Sequence, residues 1–225
     1  MKKKLLFVFA AITLLGITAF TVSRSSYTEL SNNKPTQKCT DEGRERKGSK
    51  PLTAEEKEFN KRKNKNAAVP EGNPKSMKLE QLLQGRTKVN DSADWKEGTY
   101  VEIADAYLID FKQQKGESCN CYDADKDITK GDIHINIGNQ RSLTEQNNNY
   151  YMVVEITPSY KKSHSGIPDM LKGLKKSKVT IRGYLFYDSE HERNSVNYCQ
   201  QCTDKGVWRK TCWEIHPVTF IGKSN

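Results

Sequence analysis

A mainly β chain built on a five-stranded OB-like barrel is predicted by three observations. Five segments of strand character follow residue 99, one short helical segment sits between the third and fourth of them, and the residues before them are largely polar. Five strands with a helix after the third is the order of the OB-fold, a small Greek-key barrel.

In chain order, "MKKKLLFVFAAITLLGITAFTVSRSS" has the layout of an export signal: three lysines, an apolar run from Leu5 to Val22, and small residues with Ala19 or Ser23 as cleavage positions. Its apolar run of about 18 residues also meets the lower limit for an uncleaved membrane anchor. No cysteine follows the run to carry a lipid, so residues 1–23 are expected to send the chain out of the cytoplasm, into the periplasm or medium or onto the membrane through this segment. Residues 24–50 have the composition of a disordered linker, too poor in large apolar side chains to order itself.

Residues 51–98 read as a basic helical arm and brace. Thr53 and Glu56 form a capping box, predicting a helix that starts at Ala54 and ends before Pro70. Its run Lys61, Arg62, Lys63 and Lys65 is of the kind that meets phosphate or lipid headgroups, although such a run is more often a solvated face. "KSMKLEQLLQG" then places Met77, Leu79, Leu82 and Leu83 along one side of a second short helix that stops at Gly85.

The domain at 99–225 holds the strands "TYVEIADAYLIDFK", "DIHINIG", "NYYMVVEITP", "KVTIRGYLFYD" and "WEIHPVTFIG", with "IPDMLKGLKKS" as the intervening helix. Alternation turns Ile133, Ile135 and Ile137 inward with Met152, Val154 and Ile156, and turns Asp132, His134, Asn136, Tyr151, Val153 and Glu155 outward. In the last strand Trp213, Ile215, Thr219 and Ile221 share one face, and Glu214, His216, Val218 and Phe220 the other.

The motifs "GESCNC", "DIHINI", "VVEITP", "GYLFYDSEH" and "WEIHPVTFI", preceded by "KRKNKNAAVP", together resemble a group of exported bacterial proteins with an OB-like core, over roughly residues 52–222. The resemblance implies the barrel and export; it carries over no activity or ligand.

The chain carries a net charge of +9, but residues 99–225 hold 17 Lys and Arg against 16 Asp and Glu, so the barrel is near neutral and the excess lies in leader and arm. That weighs against nucleic acid. OB-folds take ligands on the outer face of their second and third strands. Here Tyr151 is the one aromatic assigned to that face, beside Asp132 and Glu155, and acids there repel phosphate. A protein, peptide, glycan or cation is the expected partner of an extracytoplasmic binding module.

Strand pairing in the OB order brings Asp132 and His134 toward Glu155, and Asp188, Glu190 and His191 toward Glu214 and His216. Two histidines with one or two carboxylates suit a divalent metal such as zinc, which would activate water for hydrolysis of an ester or phosphodiester. His191, His216, Asp188 and Glu214 form the first candidate set, and Asp132, His134 and Glu155 the second. The bland alternative is that these groups pair with one another and with backbone as a hydrogen-bonded corner of the barrel. Paired Glu and His could also serve general acid–base catalysis without metal; no metalloprotease, nucleophile-elbow, phosphate-loop or dinucleotide motif appears, so serine, cysteine and nucleotide-dependent routes have no specific support.

The six cysteines, Cys39, Cys119, Cys121, Cys199, Cys202 and Cys212, leave three arrangements open. Outside the cytoplasm disulfides are the default, and a bridge from Cys199 or Cys202 to Cys212 would staple the loop beside "WEIHPV". Cys119 and Cys121 with Cys199 and Cys202 could instead hold a structural zinc. Redox chemistry at "CQQC" is the third.

Overall fold

In the computed structural model, which describes residues 39–64, 72–85, 96–144, 150–198 and 206–224, the five expected strands are β2 (Tyr100–Gln113), β3 (Ile133–Gly138), β4 (Tyr151–Ile156), β5 (Lys178–Tyr187) and β6 (Trp213–Lys223). A sixth, β1 (Lys75–Met77), precedes them. The leader expectation and most of the linker expectation lie outside the described residues.

The pairing order β2–β3–β4–β6–β5 returns to β2, closing a five-stranded mixed barrel whose β4–β6 contact is parallel. β2 makes closure possible because it is long enough to pair twice: Tyr100–Tyr107 faces β5, and Tyr107–Gln113 faces β3. A register shift between Ile103 and Ala106, with Asp105 at φ 61°, bends it between these partners. β1 lies parallel to β2 at Val101–Ile103, where β3 has ended. This strand falls in the segment expected to be helical; the helix α2 is only Leu79–Leu83, and Met77 is buried from the strand instead.

Alternating isoleucines and valines of β3, β4 and β5 fill the interior with Trp213, Ile215 and Ile221 of β6. One end is closed by α4 (Ile167–Leu174), whose buried Ile167 and Leu171 are four residues apart and share a helix face. Ahead of it stands an unforeseen helix, α3 (Pro158–Ser163), capped by Thr157, which accepts a hydrogen bond from the Tyr160 amide. Val218 corrects the expected alternation: it is fully buried in the core. Opposite Gly183, β6 changes register twice, and the inserted residues flip its alternation. Gly183 permits this bulge because a Cβ there would overlap Ile215 and the Pro217 carbonyl.

Much of the outer face of β3, β4 and β6 does not meet solvent as expected, although His134 and Asn136 are half-buried and Phe220 is exposed. Val153, Glu155, Glu214 and His216 all lie within 3% of full burial, and Asp132 and Tyr151 are also buried. A second layer covers them, contributed in part by α1 (Ala54–Asn64) and the segment after β2. α1 starts where expected: the Thr53 amide donates to Glu56 Oε2 at 2.7 Å and the Glu56 amide to Thr53 Oγ1 at 3.1 Å. Its seat is Phe59, edge-on to Phe186 with ring centres 5.5 Å apart, and Asn60, which donates to the Glu42 carbonyl and accepts from Ser118 Oγ. Residues 39–50 are tied in as well, by a disulfide from Cys39 to Cys121 and by Arg46, 3.0 Å from Asp125.

Candidate functional site

Strand register builds the site. His134 and Glu155 are direct partners across β3 and β4, and the single parallel pairing of Val154 with Ile215 brings β6 alongside. Glu214 and His216 flank Ile215 and turn to the same outer side as Glu155. Glu155 therefore sits between two imidazoles: Oε1 is 2.7 Å from His134 Nε2, and Oε2 is 2.5 Å from His216 Nδ1. Lys63 of α1 approaches from above, 2.9 Å from Glu117 and 3.6 Å from Glu155. Burial alone would raise the Glu155 pKa, but His134, Lys63 and His216 outweigh it and hold the carboxylate well below its ordinary range. Burial likewise opposes the Lys63 charge, and Glu155 and Glu117 overcome it.

Beside this group lies a second one organised by Arg209, which is fully buried. Its Nη1 donates to Glu214 Oε1 at 2.5 Å and to Asp188 Oδ2 at 3.2 Å, and its Nε donates to the Thr211 carbonyl at 2.7 Å. Asp188 also accepts from the Glu190 amide at 3.1 Å, capping the 3-10 turn Ser189–Asn194, and contacts His191 Nδ1. Burial would raise Asp188, but the His191 hydrogen bond and the Arg209 charge bring it below its usual value. Glu214 moves the other way: burial pushes it well up, and Glu155 and Asp188 reinforce burial against Arg209. Of the two carboxylates sharing one guanidinium, Asp188 keeps the charge and Glu214 is the readier to take a proton.

The two expected sets are thus recombined. Glu214 stays beside Asp188 through Arg209, while Glu214 and His216 join Glu155 and not His191, their donor atoms lying within 4.8 Å of one another. Asp132 leaves His134 and Glu155 for Glu117 and Cys119, which form a second group at the same spacing. Glu190 is exposed and outside both. Arg209 and Lys63 were not singled out as members of the site, and the basic run of α1 is spent inside the molecule: Lys61 pairs with Glu42 and Glu58, Arg62 with Glu97, and Lys63 with Glu117 and Glu155. Lys65 lies outside the described residues.

Two cysteine expectations are corrected. Cys121 is bonded to Cys39, so Cys119 and Cys121 do not offer a pair of thiolates to zinc. Cys212 is a free thiol and forms no bridge to Cys199 or Cys202; it belongs to the barrel core, where its thiol donates to Ser195 Oγ at 3.1 Å and burial pushes its pKa to about 11. Cys119 is free and buried, and Cys199 and Cys202 lie outside the described residues.

Asp132 gives a prediction with a definite sign. Burial, then the charge of Glu155, raises its pKa from 3.8 to about 6. The folded state therefore holds a proton that the unfolded state releases, and stability falls as pH rises through that window. Asp132→Asn is expected to stabilise the fold at pH 7.5 by up to about 3 kcal/mol, and to change nothing below pH 4. Urea unfolding at pH 4, 6 and 7.5 measures this, and an Asn variant less stable than the parent at pH 7.5 contradicts it.

A groove of about 400 Å³ crosses the outer side of β3. The segment 114–132 contributes Glu117, the strands contribute Asp110, His134, Asn136 and Tyr151, and the β5–β6 connection contributes His191 and Trp208. A second cavity of about 410 Å³ is lined by Arg62, Glu97, Phe186 and His216. No family model, curated protein or solved structure matches this chain, so the site itself carries the functional reading.

Proposed function

We propose that the protein is an extracytoplasmic OB-like binding module whose ligand is a neutral oligosaccharide lying across β3. The observation that carries this is the position of the 400 Å³ groove: it lies on the outer side of the barrel's second strand, between the loop after the first and the loop before the fifth, where OB barrels take oligosaccharides and single-stranded nucleic acids.

Its chemistry favours the sugar. Trp208 supplies aromatic surface, with the buried Tyr151 lining the groove, and Asn136, Gln114 and Glu117 supply partners for hydroxyl groups. Among the described residues Lys112 is the only lysine or arginine in the lining, against Asp110 and Glu117, and Lys61, Arg62 and Lys63 of α1 already face carboxylates, so a phosphodiester backbone has little to hold it. The Cys39–Cys121 disulfide fits an oxidising, extracytoplasmic setting. No helix among the described residues is long and apolar enough to cross a membrane.

Titration with chito-, cello- and maltohexaose, followed by tryptophan fluorescence and calorimetry, tests the reading. At least one of the three should bind, with affinity falling at least about 10-fold in Trp208→Ala, the cost expected of losing a central aromatic anchor. Asn136→Ala, which leaves the packing of Arg209 untouched, should also weaken binding. A failure of all three sugars at millimolar concentration, or retardation of a 20-nucleotide single strand instead, overturns it.

A further inference from the structure

We infer that Glu155, Glu214 and His216 bind one divalent transition-metal ion, in a site separate from the ligand groove. Their donor atoms lie within 4.8 Å of one another, and the three residues are 1%, 0% and 3% exposed. Glu155 Oε2, Glu214 Oε2 and His216 Nδ1 each lack a hydrogen-bond partner among the described residues. The Glu155–His216 contact is an ion pair by distance, but it does not meet hydrogen-bond geometry and so leaves this deficit in place. Three buried polar atoms in one cluster without hydrogen bonds are costly as they stand, and a shared cation is what such a set accommodates.

Charge distinguishes a cation from a water molecule. Glu117, Asp132, Glu155, Asp188 and Glu214 crowd a region where, among the described residues, Lys63, Arg209 and the imidazoles of His134, His191 and His216 are the groups paired with them. Lys63 spends its hydrogen bond on Glu117 and stays 3.6 Å from Glu155 Oε2, while Arg209 bonds Oε1 of Glu214 and leaves Oε2 free. A divalent ion would pair with the oxygens of Glu155 and Glu214 at once, which a neutral water cannot do as a charge.

Two carboxylate oxygens and one imidazole nitrogen select zinc, cobalt or manganese over calcium, which takes oxygen alone. Around this set, His134 Nε2 stands 2.7 Å from the other oxygen of Glu155 and Arg209 donates to the other oxygen of Glu214, placing a charged or polar group behind each ligating carboxylate. His216 also lines the 410 Å³ cavity beside Arg62 and Phe186, which gives an ion a way in from solvent.

The test uses the full chain, stripped with chelator and dialysed, and titrated calorimetrically with zinc, cobalt and manganese chlorides. One ion per chain is expected, with visible cobalt absorption bands from a site containing imidazole and a melting temperature raised by the metal. Glu214→Gln, close in shape and still able to accept from Arg209, should weaken binding at least 100-fold, as should His216→Ala, while His191→Ala should not. Absence of binding by all three metals below 100 µM overturns the inference, and so does binding that persists in both Glu214→Gln and His216→Ala. Oligosaccharide binding is read independently through Trp208, so either proposal can fail alone.

Discussion

Arg209→Ala is expected to destabilise the protein by about 3–5 kcal/mol, the cost of breaking a buried ionic group by removing one partner. The guanidinium is completely buried and serves three acceptors, so its loss strands the carboxylates of Asp188 and Glu214 and the Thr211 carbonyl together. Asp188 retains His191 and its capped amide; Glu214 retains nothing on either oxygen among the described residues. Much of the penalty should therefore sit on Glu214, whose carboxyl burial already pushes toward the protonated form. Protonation relieves an unpaired buried carboxylate, so the loss measured by urea unfolding should be larger at pH 8 than at pH 5. Adding Glu214→Gln to Arg209→Ala should recover part of the loss, because a buried charge then becomes a neutral amide. A single-variant loss below about 1 kcal/mol would place Arg209 with ordinary surface pairs and refute this account.

Sequence patterning exposed the barrel and half of its chemistry. The five strands were legible because β-branched residues alternate with period two, and the pairing of His134 with Glu155 followed from antiparallel register alone. β1 was not, since three residues carry no period, whereas Pro158 after a capping Thr157 did offer a signal for α3 that strand length masked. His216 reaching Glu155 was beyond inference, because it depends on one parallel pairing and on a bulge around Pro217 that alternation cannot foresee. Lys63 and Arg209 were hidden for an energetic reason. Burying a lysine or arginine is unfavourable by default, and it becomes tolerable here only because carboxylates distant in sequence, Glu117 and Glu155 for one and Asp188 for the other, converge on it. The same convergence buries a face that alternation assigned to solvent.

Opening the Cys39–Cys121 bond should also be costly, and in a particular place. The two cysteines are 82 residues apart in sequence, and closing a loop of that size is worth about 4.5 kcal/mol in the chain-entropy model. The bond matters locally because α1 has little else of its own: 11 residues are marginal for a helix in water, and Phe59 is its one buried apolar side chain. The polar ties to the far side are Asn64 donating to the Cys119 carbonyl at 2.8 Å, Asn60 with Ser118, and Lys63 with Glu117 and Glu155. These end on or beside residues 117–121, the segment the disulfide holds, apart from the tie to Glu155; the further pair of Arg62 with Glu97 lies outside that segment. A Cys39→Ser, Cys121→Ser variant should therefore melt at lower temperature and be cut by protease first within residues 39–64. Loss of the Lys63 lid would leave Glu155 with its two imidazoles and a wetter surrounding, so its carboxyl should move back toward the ordinary range. If the variant unfolds within about 1 kcal/mol of the parent and shows the same first cleavage site, the arm is held by its packing on Phe186 and the disulfide is incidental to it.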